Sequence, residues 1–135
     1  MRNPWSLAAA LLLLFSTSAA ASEETVAVSL TNNGPEALRC QWQLAHWMTA
    51  EALALPPGGQ ERLTVWREDS GALFLRQGDE PRPFHIEGLL CGPEQGFGDQ
   101  PRQVDLSALR RDLADGLAVT CSAAAQTECQ AIPLP

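Results

Sequence analysis

Tyrosine and lysine are absent from the chain, and histidine and methionine occur only twice each. All nine basic residues are therefore arginines, set against sixteen acids for a net charge of −7. With no basic run, this balance argues against a nucleic-acid partner, whose phosphates such a surface repels, and against an anionic membrane face. Two histidines and two methionines are a thin supply for a dedicated metal carrier, so no cofactor is expected. No cysteines are spaced Cys-x-x-Cys, which removes the usual zinc pattern. No serine sits in a Gly-x-Ser-x-Gly context, and no acidic cluster follows a calcium-loop pattern. Glu68-Asp69 and Asp79-Glu80 thus read as solvated turn charge. No apolar run approaches the roughly 20 residues of a transmembrane helix, and no internal repeat is visible.

What is present begins with an export leader. Arg2 precedes an apolar run of Ala and Leu over residues 7–15, and Ala19-Ala20-Ala21 supplies the small-x-small pattern of a signal-peptidase site. The reading is a signal peptide over residues 1–21, cleaved near Ala21. One domain over residues 22–135 follows, periplasmic or secreted. Its four cysteines, Cys40, Cys91, Cys121 and Cys129, are an even set in an oxidising compartment and read as two disulfides. Cys40–Cys91 and Cys121–Cys129 are the expected pairs. The second closes a short loop of small residues, and the first ties an early strand to a later one.

Residues 38–48 organise the pattern. Leu38, Cys40, Trp42 and Leu44 alternate with Arg39, Gln41 and Gln43, as on a strand with one buried face. The alternation carries on to Met48, with His46 expected to close the core face. Val26, Val28 and Leu30 mark an earlier strand. Leu63 and Val65 mark a later one with Trp66 on its opposite face, and Leu73 and Leu75 a short one. Phe84 and Ile86 share a face, and the phase shifts at Gly88, where a bulge is expected. Residues 49–55 are rich in helix formers and stay ambiguous between a helical turn and irregular chain. Leu106, Leu109 and Leu113 recur at helical spacing behind Asp105, predicting a helix over residues 105–113. A last strand over residues 117–121 leads to a tail tied down only by Cys129.

The fold class expected is mainly β. It is a small antiparallel β-sandwich of immunoglobulin-like architecture, with one short late helix and two disulfides. The likeness is one of architecture. An immunoglobulin domain sets its tryptophan farther from the first cysteine than Trp42 lies from Cys40, and it carries a tyrosine near the second cysteine. No family is assigned.

For chemistry, no nucleophile, base and orienting group stand together, so the chain reads as a non-enzyme. Trp47 and Trp66 fall opposite the apolar stripes of their strands and form a possible partner surface. The function expected is a small exported, non-enzymatic module that binds another envelope or exported protein. The alternative is a periplasmic copper carrier using His46, Met48 and His85, since imidazole and thioether both suit copper(I). A small secreted hydrolase, or a protease inhibitor presenting the loop over residues 91–100, ranks lower.

Overall fold

A computed structural model describes residues 23–76 and 83–134. The expected leader, and most of the loop over residues 77–83, lie outside them. The described residues form nine strands: β1 (Glu24–Asn32), β2 (Leu38–Leu44), β3 (Met48–Leu55), β4 (Gln60–Arg67), β5 (Leu73–Leu75), β6 (Phe84–Pro93), β7 (Arg102–Gln103), β8 (Gly116–Ser122) and β9 (Glu128–Leu134). One helical turn, α1 (Ser107–Arg110), precedes β8.

The strands form one continuous sheet in the order β3-β2-β6-β5-β4-β1-β8-β9, with β7 added against β6. β6 is the joint. Its first residues pair with β5 (Phe74↔His85, Leu75↔Phe84). From Ile86 onward it pairs with β2. At the crossing the register runs Gln43↔Gly88 and then Leu44↔Ile86, so one residue of β6 is left unopposed. This is the bulge that the phase break at Gly88 predicts; it turns the strand from one layer to the other. The sheet thus closes over a single core. Val28, Leu30 and Val119 meet Leu38, Cys40, Trp42 and Leu89 there.

Both disulfides form as expected, Cys40–Cys91 and Cys121–Cys129. Each joins directly opposed residues of neighbouring antiparallel strands. The Sγ atoms of Cys91, Cys121 and Cys129 lie within 4.8 Å of one another, so the two bridges meet in the core. All three are bonded in disulfides, so this is a sulfur cluster and not a metal site.

Four local expectations change. The strand of residues 38–48 stops at Leu44, and His46 is exposed instead of closing the core face. Residues 49–55 join β3, because pairing with β2 outweighs the helix propensity of Ala and Glu. The late helix is a single turn. Asp112 adopts a left-handed φ of 56°, with Asp112 N–H donating to Leu109 O and Leu113 N–H to Ala108 O. That is a Schellman end; it buries Leu106 and Leu109 and leaves Leu113 70% exposed. The tail is a full strand, β9, paired with β8 from Ser122↔Glu128 to Gly116↔Leu134. One pairing is parallel, β1 with β8, because everything between them serves as the crossover.

Two buried polar side chains fasten the turns. Asn32 is fully buried; its Nδ2 donates to Glu36 O, Leu55 O and Pro56 O, while its Oδ1 accepts from Gly34 N and Ala123 N. Arg67 is also buried and donates to Leu109 O at 2.9 Å and Ala114 O at 2.7 Å. Its guanidinium is paired with Glu24 and with Asp112 at 2.7 Å. The β4–β5 turn packs against α1 so closely that a Cβ on Gly71, at φ +88°, would stand 1.9 Å from Arg110 O.

Candidate functional site at the hairpin tip

β2 and β3 form a hairpin whose last pair is Leu44↔Met48. The chain reverses through Ala45–Trp47 with His46 at φ 63° and Trp47 at φ 64°. Two consecutive positive φ values match the twist of a two-stranded ribbon, which is why Asn-Gly is the usual choice there. Here the residues are His and Trp. Histidine tolerates that conformation better than most residues, whereas for a bulky side chain it is an outlier. Such a conformation costs roughly 1–2 kcal/mol per residue.

Packing does not repay the cost, because Trp47 is 101% exposed and Met48 is 43% exposed. Strain held against the interest of the fold, at an apolar tip, points to use of that tip.

Beside the tip lies a cavity of about 240 Å³ lined by Leu44, Ala45, His46, Met48, Pro83, Phe84 and His85. The three residues singled out as copper ligands in the alternative reading, His46, Met48 and His85, thus come from two elements to one cavity. The bulge on β6 sets this up, since it carries the start of β6 past the end of β2. His85 Nε2 lies 3.5 Å from Glu68 Oε1. Its ring meets Phe74 edge-on, centroids 6.3 Å apart at 89°. Among the described residues lining the cavity none carries a hydroxyl or thiol that the His85–Glu68 pair could activate.

Register extends the surface sideways. Trp66 opposes Phe74, and Phe74 opposes His85, so the three share one face of β4, β5 and β6. Phe74 is fully buried yet lies outside the main core. Arg76 covers it, with Cζ 5.3 Å from the ring centroid. Trp66 is half-buried on this outer face, so Trp47 alone of the pair is free in solvent. The loop over residues 91–100 lies at the hairpin's base, the end of β2 away from the tip, where Arg39 stacks on Phe97 at 4.9 Å. Arg39 also pairs with Glu51, which raises its pKa above the ordinary arginine value.

Sequence reasoning placed Trp47 on a strand face and missed the turn. The signal lay in the polarity change at Ala45-His46, but no Gly, Asn or Asp announced a reversal. No protein-family model matches the chain, and no match was found among curated proteins or solved structures.

Proposed function

We propose that this chain is a small exported, non-enzymatic binding module that engages another envelope or exported protein through the β2–β3 hairpin tip. One observation carries the reading: a wholly exposed indole, Trp47, held at an unfavourable backbone angle on a hairpin braced by Cys40–Cys91. Tryptophan is the side chain most enriched at interface hot spots, and a rigid hairpin presents it with little ordering cost on binding. The half-buried Trp66 on the adjoining outer face would form the rim. The chain's net charge of −7 favours a partner with a basic margin around an apolar pocket.

Affinity capture from envelope extract with the mature, metal-free protein tests this. A partner retained by the wild type, lost with Trp47→Gly and weakened with Trp66→Ala supports it. A partner bound equally by Trp47→Gly, or turnover of an ester or glycoside substrate, overturns it.

A further inference from the structure

We propose that the hairpin-tip cavity is a copper(I) site, with His46, His85 and the thioether of Met48 as ligands. The convergence carries the argument. The chain has two histidines and two methionines in 135 residues, and both histidines and one of the methionines line the same seven-residue cavity. Packing alone does not account for this, because His46 is exposed at φ 63° and Met48 is 43% exposed.

The donor set selects the metal. Imidazole suits copper and zinc, while a neutral thioether favours copper(I) and leaves hard divalent ions poorly served. Among the described residues no carboxylate lines the cavity itself, so its lining offers little to calcium or magnesium. All four cysteines are oxidised, so no thiolate elsewhere competes for the ion.

A supporting contact stands behind one ligand. Glu68 Oε1 lies 3.5 Å from His85 Nε2, close enough for a small side-chain shift to pair that nitrogen and leave Nδ1 for the ion. Metal-bound histidines characteristically pair their other ring nitrogen with a carboxylate or a backbone carbonyl. Leu44, Phe84 and Pro83 supply the apolar wall that limits solvent access. The net charge of −7 favours cations over anions at the chain's surface in general.

Anaerobic titration of the mature protein with copper(I), against a chromogenic copper(I) chelator, tests the site. The expected result is one ion per chain, with binding weakened strongly by His46→Ala, His85→Ala and Met48→Leu. Glu68→Gln should weaken it by about tenfold, as loss of a supporting contact does. Zinc(II) should bind more weakly and be indifferent to Met48→Leu. Proton NMR of the wild type supplies a readout without substitution: the ring signals of both histidines should shift together on adding copper(I). No competition with the chelator, affinity unchanged in the three ligand variants, or a shift of only one histidine would overturn the proposal. Partner capture uses metal-free protein, so failure here leaves the binding-module reading to stand or fall separately.

Discussion

The β2–β6 pair and the β8–β9 pair carry the same device and use it differently. In each, a disulfide joins directly opposed residues of adjacent antiparallel strands, with Cα atoms 4.1 Å apart. β2 buries every second residue from Leu38 to Leu44 and lies between β3 and β6. Its bridge spans 51 residues and anchors a hairpin whose far end carries a strained, exposed tip. β9 is an edge strand, mostly exposed along its length, with Ile132 60% exposed. Its bridge spans 8 residues and substitutes for the apolar burial that the strand lacks. Covalent bracing therefore underwrites a strained, exposed tip in one region and an otherwise weak edge in the other.

Breaking the long bridge should separate the two regions most clearly. Cys40→Ala with Cys91→Ala is expected to cost about 4 kcal/mol by loop entropy, before any cavity cost. Denaturant unfolding of the double variant would show it as a lower midpoint with a steeper slope, because the uncrosslinked denatured chain exposes more surface. Removing the short bridge, Cys121→Ala with Cys129→Ala, should cost about 2.5 kcal/mol. Its signature should be local, with amide protection lost along β9 but kept in β2 and β6 by hydrogen exchange. Equal loss of protection in both regions would contradict the edge-strand account.

A change at the tip should run the other way. Trp47→Gly relieves a left-handed conformation and is expected to raise stability by roughly 0.5–1 kcal/mol, after glycine's own entropic cost. A destabilised Trp47→Gly protein in thermal or denaturant unfolding would mean that the indole packs on the fold and is no free contact. The smallest expected effect is at α1, where Ser107 holds the Asp105 carboxyl below its ordinary value, first through its side-chain hydroxyl and second through its backbone N–H, which donates to Asp105 Oδ1 at 2.9 Å. A depressed carboxylate contributes stability above its unfolded pKa, and that stability is lost as pH falls through the lower folded value. Asp105→Asn should therefore flatten a shallow decline in stability below about pH 4. An identical pH profile for wild type and Asp105→Asn would remove Asp105 from the account.

Much of the scaffold was legible because it rests on local alternation. The stripes Val26-Val28-Leu30 and Leu38-Cys40-Trp42-Leu44 appear as buried strand faces, and the phase break at Gly88 appears as a bulge. The candidate site was legible only in part. His46, Met48 and His85 stood out by scarcity, but their meeting depends on a reversal at residues whose types do not favour it. Arg67 and Asn32 were not legible at all, since an arginine after a tryptophan or an asparagine before a turn looks solvated until distant backbone carbonyls close around it.

The sequence by itself determined the class of fold and its staples. Period-two burial and an even cysteine count are properties of neighbours along the chain or of composition, and they survive any arrangement of the strands. Tertiary structure alone decided that β3 is a strand, that β1 and β8 run parallel, and that the tail is an edge strand. It alone set Trp47 in solvent beside a cavity holding both histidines. These follow from pairing between segments far apart in sequence, whose backbone hydrogen bonds and shared core outweigh local propensities worth less than about 1 kcal/mol per residue.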